Sequence, residues 1–151
     1  MPHRLNKESL YAVRAVAELA EHFGKDPVSC ATIAEKQAIP QRFLELILVR
    51  LREHDFLTSH RGASGGYVLT VPPDELSIGQ ILRLFEGRLA PVHCTACGGT
   101  EYCKLQNNCR FARLWRRSKQ AVSYLYDTTT FADLLTEKPI SVDSAVAPSL
   151  I

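Results

Sequence analysis

The chain has 151 residues, of which 46% are hydrophobic and 23% charged, and its formal net charge is +2. This composition is typical of a soluble globular protein with one sizeable core, and no apolar run is long enough to cross a bilayer, so a membrane protein is excluded. The small net charge neither requires nor excludes nucleic acid as a partner. Residues 1–9 lack the apolar core of a signal peptide, so we expect a cytoplasmic location, where the five cysteines remain reduced.

The first third of the chain is predicted to form three short helices. Apolar residues recur at three and four positions from Ala12 to Phe23, which predicts an amphipathic helix that ends at Gly24. Ser29 is a suitable N-cap for a second helix, and Pro40 predicts a turn before a third, because the residue before a proline avoids helical angles. The buried stripe of the third helix is predicted to contain four aliphatic residues, Leu44, Ile47, Leu48 and Leu51.

A glycine-rich hairpin and a fourth helix are predicted to follow. Two β-prone runs, residues 57–61 and 67–70, flank the glycine-rich tip 62–66, and this pattern is typical of a hairpin. Ser77 is a suitable N-cap for a fourth helix that ends at Gly87.

The chain loses its periodicity between Arg88 and Cys109 and regains it in a final long helix. We expect that helix from about Arg110 to Tyr126, and the segment 137–151 is predicted to be frayed. The final helix has a large apolar face, although the residues before it already form a complete small domain. This predicts that the face packs against a helix of a second chain. The face consists of Phe111, Leu114, Trp115, Ser118, Val122 and Leu125.

The order helix, helix, turn, helix, hairpin is that of a winged helix-turn-helix. The predicted fold class is mainly α with a small β-hairpin, a winged helix-turn-helix with a long C-terminal dimerisation helix. We divide the chain into a DNA-binding domain at 1–88, a cysteine-rich cofactor loop at 89–110, a dimerisation helix region at 111–136 and a flexible tail at 137–151.

The outward side of the third helix and the hairpin form the candidate DNA-binding surface. Arginine can donate two hydrogen bonds to guanine, glutamine can pair with adenine, and glutamate can accept from cytosine. An arginine at the base of a wing, followed by glycines that let the backbone approach closely, suits a phosphate or a minor groove. The candidates are Gln41, Arg42, Glu45, Arg52, Arg61, Gly62 and Ser64. The pattern alone also permits ordinary solvated side chains at these positions.

Four of the five cysteines lie in the segment without periodicity, in the spacing C-x2-C-x5-C-x5-C. These are Cys94, Cys97, Cys103 and Cys109. Thiolates are preferred ligands of iron–sulfur clusters, while a structural zinc site or thiol-based chemistry remains an alternative. The fifth, Cys30, is interpreted as a small buried hydrophobic residue of the second helix.

Several of these features resemble the Rrf-two family of bacterial transcription regulators. They are Val-Arg-Leu-Arg at 49–52, Arg-Gly-Ala-Ser-Gly-Gly-Tyr at 61–67, the downstream cysteines and the tryptophan-bearing helix, and the resemblance spans about residues 3–136. It implies a homodimer that binds a palindromic operator in double-stranded DNA, with long C-terminal helices that cross at the two-fold axis. It also implies that Glu45 helps to choose between operator classes and that Arg61 makes the wing's DNA contact.

The resemblance further implies that Cys97, Cys103 and Cys109 bind an iron–sulfur cluster, with [2Fe–2S] slightly preferred over [4Fe–4S]. This chain departs from the pattern at the fourth ligand, because Ala112 stands where the cluster regulators have a histidine. The candidates for that ligand are Cys94, then His93, and, from the N-terminal helix of the other subunit, Glu8 or His3.

We therefore expect a transcription regulator that senses iron, redox or nitric oxide status through the cluster. The alternative is a cofactor-free or zinc-binding winged-helix repressor that is controlled by a partner protein or by thiol oxidation. No nucleophile elbow, phosphate loop or paired-carboxylate motif occurs in the sequence, so no enzymatic activity is expected.

Overall fold

A computed structural model describes residues 5–90, 102–105 and 107–140. Over these residues the chain is mainly helical with one two-stranded antiparallel sheet, which confirms the predicted fold class. The helices and strands are α1 (Lys7–Glu21), α2 (Cys30–Gln37), α3 (Gln41–Glu53), β1 (Leu57–His60), β2 (Gly66–Leu69), α4 (Ile78–Glu86), α5 (Ala112–Thr128) and α6 (Phe131–Leu135).

The helix-turn-helix is formed by α2, a sharp turn and α3. The Ser29 hydroxyl accepts a hydrogen bond from the Thr32 amide at 3.1 Å and so caps α2, as the sequence predicts. Ala38 then adopts a left-handed backbone conformation, with φ 49° and ψ 49°, and Ile39 is buried in the core. Pro40 directly precedes α3, so the predicted turn lies between the left-handed Ala38 and the first residue of α3.

The core lies between α1, α3, α4 and the base of the hairpin. All four aliphatic residues predicted for the stripe of α3 are buried, and Leu57 pairs with Leu69 across the hairpin with both side chains buried. Ser77 begins α4 with a capping box, because its hydroxyl accepts from the Gln80 amide while the Gln80 side chain accepts from the Ser77 amide. The apolar spacing and the N-cap residues in the sequence therefore predict where the helices around the core lie.

The first helix is longer than the apolar spacing predicts. It begins at Lys7, where the Asn6 side chain accepts a hydrogen bond from the Ser9 amide at 2.8 Å. Glu86, the last residue of α4, accepts hydrogen bonds from the Asn6 amide and the Ser9 hydroxyl, each at 2.6 Å. The start of α1 is therefore held against the end of α4, a contact between residues about eighty positions apart that the local pattern does not predict.

The short helix α6 was not predicted, and it brings the chain after α5 back into contact with the core. The Phe131 side chain is fully buried, and its amide donates to the Leu76 carbonyl at 3.0 Å. The Ile78 amide donates to the Thr129 carbonyl at 3.0 Å, so the end of α5 is joined to the start of α4. The division of the chain at residue 88 stays a prediction, but the hydrophobic core extends across it.

The long helix α5 contains no buried residue. It begins two residues later than expected, and Phe111, the first residue of the predicted apolar face, lies just before it and is exposed. No helix in the described parts of the chain is both long and apolar enough to span a membrane. The expectation of a frayed tail falls largely on residues 141–151, which lie outside the described residues.

Candidate nucleic-acid interface and cysteine segment

The four candidate residues of α3 are all exposed, because they lie outside its buried stripe. They are Gln41, Arg42, Glu45 and Arg52. The Gln41 side-chain amide donates to the Glu45 carboxylate at 3.2 Å, so these two residues form one polar edge at the start of the helix. Arg42 lies beside this edge, opposite the core. The surface therefore presents a hydrogen-bond donor and acceptor pair next to a guanidinium group.

Arg50 and Arg52 face different sides of α3 because residues two apart on a helix point about 200° apart. The Arg50 guanidinium donates to the Leu84 carbonyl at 2.7 Å and lies 4.8 Å from the centroid of the Phe85 ring. It also lies 3.5 Å from the Glu8 carboxylate. Arg50 thus joins α3 to α4 and α1, a role that the sequence pattern did not predict, while Arg52 is exposed on another side of the helix.

Glu45 also faces the start of α2. Burial and the negative charge of Glu45 together raise the pKa of the Cys30 thiol above its ordinary value. Cys30 packs against the core but is half-buried rather than fully buried, which corrects the expected complete burial. The raised pKa disfavours the thiolate that a metal would need, and the structural role of Cys30 stays a prediction.

The wing candidates Arg61, Gly62 and Ser64 lie in the turn between β1 and β2 and are exposed. Gly62 has a φ of 112°, a conformation that favours glycine, and its carbonyl accepts from the Gly65 amide at 3.0 Å. The turn is therefore a hydrogen-bonded loop that carries its basic side chain on the surface.

The wing is fixed to the segment before α2. The Tyr67 amide donates to the Val28 carbonyl at 2.8 Å, and the Val28 amide donates to the Tyr67 carbonyl at 3.0 Å. A Cβ atom at Gly66 would lie 2.4 Å from the Val28 carbonyl oxygen, so only glycine permits this approach. Consequently the wing keeps a fixed position relative to the helix-turn-helix.

Two further features of α3 were missed from the sequence. Phe43 and Leu46 are among its exposed residues, with 58% and 68% of their surface accessible, and Val49 is exposed to 37%. A depression of about 360 Å³ between α1 and the start of α3 is lined by Lys7, Glu8, Tyr11, Pro40, Phe43 and Leu46. The helix therefore has apolar side chains on its outer side as well as in the core.

Cys103 and Cys109 lie in the irregular segment directly before α5. Both thiols are free, and both residues are half-buried, as Cys30 is. The Asn108 amide donates to the Leu105 carbonyl at 2.9 Å, which forms a turn between the two cysteines. Soft thiolate donors outside the core, on a segment without regular structure, fit the requirements of an iron–sulfur cluster or a zinc ion. Four other candidate ligands, His3, His93, Cys94 and Cys97, lie outside the described residues.

A helix-turn-helix with an exposed polar edge on its second helix, followed by a fixed basic wing, defines the winged-helix DNA-binding class. The Rrf2 family, described as an iron-dependent transcriptional regulator, matches residues 5–137. This chain therefore belongs to the Rrf2 family, and the predicted resemblance is confirmed. It is accordingly a transcriptional regulator of this type.

Individual relatives agree with the family assignment. The HTH-type transcriptional regulator IscR of Sodalis glossinidius is 34% identical over 137 residues, which cover 91% of this chain and 81% of the relative. The solved structure of T. potens IscR is 28% identical with a TM-score of 0.69, and the match covers 97% of this chain and 93% of that one. CymR (YrzC), the global cysteine regulator of B. subtilis, is 31% identical with a TM-score of 0.76, over 91% and 99% of the two chains.

Proposed function

We propose that this protein is a homodimer that binds a palindromic operator with α3 and the wing, and that it senses iron, redox or nitric oxide status through a cluster in the cysteine segment. One observation carries the DNA-binding part. The polar edge of α3 is uncovered by the described parts of the chain and lies on the same rigid unit as the basic wing. A recognition helix needs this arrangement to enter a major groove while the wing contacts the backbone.

The exposed side chains divide into two groups by chemistry. Gln41, Arg42 and Glu45 belong to the first two turns of α3, where side chains contact base edges, and the Gln41–Glu45 hydrogen bond holds both groups in one orientation. Arg52, Arg61, Gly62 and Ser64 contact the sugar-phosphate backbone or the adjacent minor groove.

The dimer contact is assigned to α5. Its large apolar side chains recur at helical spacing, and they remain accessible to solvent in the single chain. Exposed fractions are 54% for Leu114 and 44% for Val122, and Phe111 just before the helix is 60% exposed. A helix with an uncovered apolar stripe gains stability by packing on an equivalent helix, so a second copy of α5 is its natural partner.

The cluster ligands are assigned to Cys97, Cys103 and Cys109, with Cys94 or His93 as the fourth. When bound, an iron–sulfur cluster supplies iron that reacts with oxidants and nitric oxide. Three or four ligands on one short segment would hold that segment together shortly before α5. The bound segment would then limit the orientation of α5, and through it the separation of the two DNA-binding units. The relatives named IscR and the family's description as iron-dependent favour this assignment.

The cofactor proposal is tested on protein purified without oxygen, by absorption spectroscopy with iron, sulfide and zinc analysis. We expect a coloured protein with equal amounts of iron and acid-labile sulfide. Cys103→Ser should lose both, and Cys30→Ser is the matched control that should keep both. Colourless protein without sulfide would contradict the cluster.

A second candidate is a regulator without a cluster, controlled by thiol oxidation or a partner protein, or containing zinc. The similarity to CymR, a cysteine regulator, favours it. It predicts zinc or no metal in the same analysis. Oxidation by peroxide would then change DNA affinity in wild-type protein and leave the affinity of Cys103→Ser unchanged.

The DNA-binding proposal is tested by selecting duplexes from a random-sequence pool. Arg61→Ala should weaken binding to every selected duplex and reduce the salt dependence of affinity by the equivalent of about one phosphate contact. Glu45→Ala should change which sequences are selected. Lys25→Ala, an exposed residue between α1 and α2, is the control and should bind as wild type does.

A further inference from the structure

The recognition helix α3 has more apolar surface than the core uses. Its buried stripe is complete with four aliphatic side chains, yet Phe43, Leu46 and Val49 are exposed. A helix at the surface of a small domain normally has one apolar stripe and a polar opposite side. A second apolar surface on the helix that faces DNA therefore indicates an apolar contact with the ligand.

Leu46 lies on the side of α3 that points directly away from the core. It follows Arg42 by four residues and precedes Val49 by three, so these side chains are neighbours along one face. That face lies opposite the buried Leu44 and Leu48. The Gln41–Glu45 polar edge lies on one side of Leu46, and Phe43 lies on the other. An aliphatic side chain thus stands among groups suited to hydrogen bonds with bases.

The major groove presents one apolar group on its base edges, the C5-methyl group of thymine. We propose that Leu46 contacts the methyl group of a thymine beside the base that Arg42 contacts, once in each operator half-site. The inference rests on the proposed binding of α3 in the major groove. It makes Leu46 a specificity-determining residue that selects thymine over cytosine, because cytosine has no methyl group at that position.

The experiment replaces thymine by uracil, which removes only the methyl group. Each thymine of a duplex selected by wild-type protein is replaced in turn, and affinity is measured at constant salt. We expect one position in each half-site at which wild type loses about fourfold, the factor expected from burying one methyl-sized group. Leu46→Ala should bind the unmodified duplex more weakly and lose the difference between thymine and uracil. Leu46→Met should keep that difference.

Leu10→Ala is the matched control, because Leu10 is an exposed leucine on α1, 45% accessible, away from the outward side of α3. It should keep the wild-type response to uracil. If wild-type protein selects no duplex, the proposed DNA binding fails. If wild type binds but responds to uracil nowhere, or if Leu46→Ala keeps the response, the inference about Leu46 alone is overturned. Loss of dimer mass in Leu46→Ala with the uracil response retained would also overturn it, since the surface would then be a protein contact.

Discussion

The winged-helix unit and the arm that contains α5 are stabilised in different ways. In the first, side chains from α1, α3, α4 and the hairpin bury one another. In the second, the 17 residues of α5 include apolar side chains at regular spacing, but none is buried. Burial within one chain removes the apolar surface of the first unit from water, whereas the apolar side of α5 stays accessible to water in the single chain. The proposed DNA contacts lie in the first region, and the proposed sensing cysteines precede the helix of the second.

The two regions are joined at one end of α5. Its last turn is paired with α4 through Arg83 and Asp127, and the chain then continues into the buried Phe131. The opposite end of α5 begins three residues after Cys109. Under the proposed function, a change in the cysteine segment would act on one end of a helix whose other end is attached to the winged-helix unit.

The largest expected effect on the free energy of unfolding comes from Phe131→Ala. Phe131 follows α5 in the sequence, but its side chain packs in the core. Removal of this fully buried ring should lower the free energy of unfolding by about 3–5 kcal/mol, through lost burial and the cavity that remains. Leu134→Ala, on the same helix but 38% exposed, is the control and should change it by less than about 1 kcal/mol. Urea unfolding at one fixed protein concentration measures both. Equal effects would mean that α6 does not pack on the core.

A smaller effect on the free energy of unfolding is expected at Glu18, whose buried carboxylate joins α1 to α2. It accepts hydrogen bonds from the Lys36 ammonium at 2.7 Å and the Gln37 amide at 2.9 Å. Burial opposes its charged form, but these hydrogen bonds and the charge of Lys36 outweigh burial, so the pKa of Glu18 is lowered from 4.5. Glu18→Gln should reduce the free energy of unfolding by about 1–3 kcal/mol at pH 7.

The sign of the pH dependence follows from that lowered pKa. The unfolded chain binds a proton at Glu18 at a higher pH than the folded chain does, so the contribution is complete above the ordinary value of 4.5 and declines as the pH falls through the folded value. The difference in the free energy of unfolding between wild type and Glu18→Gln should therefore become smaller as the pH falls. Glu35→Gln, an exposed residue of α2, should show no such trend. A difference that grows in acid would contradict the assignment.

Local signals predicted much of the DNA-binding unit. Periodicity identified the buried stripe of α3, and the short-range caps at Ser29 and Ser77 marked the starts of α2 and α4. The return of Phe131 could not be predicted, because its burial depends on residues far away in the sequence. Arg50 was missed for a similar reason, since its partners on α1 and α4 exist only after folding.

The candidate site was predictable to a different degree in the two regions. Exposure of Arg42 and Glu45 follows from the period of the helix once the buried stripe is known. Leu46 was overlooked because an apolar residue on an apolar-rich helix is expected inside. In the cysteine segment, spacing predicts chemistry but not geometry, and the ligand assignment of all four cysteines and of His93 stays a prediction.

Thiol reactivity compares the two regions directly. Cys30 has a raised pKa, through burial and the charge of Glu45, so metal-free protein at pH 8 should be alkylated more slowly there than at Cys103 and Cys109. Glu45→Gln should speed alkylation of Cys30, and Glu53→Gln, also exposed on α3, should leave it unchanged. Mass spectrometry of digested samples measures each site. Faster reaction at Cys30 than in the cysteine segment would contradict the predicted order.

The smallest effect is expected at the attachment of α5 to α4. The Arg83 guanidinium and the Asp127 carboxylate form two contacts, at 2.5 and 2.7 Å, but both side chains are about two-fifths exposed. Solvent screens such pairs, so a double-mutant cycle with Arg83→Ala and Asp127→Ala should give a coupling of about 0.2–1 kcal/mol that falls at high salt. A coupling above about 2 kcal/mol would contradict this and indicate that a second subunit shields the pair. Under the proposed function, a weak attachment would let α5 change its orientation when the cysteine segment gains or loses its ligand, because a strong one would oppose the change.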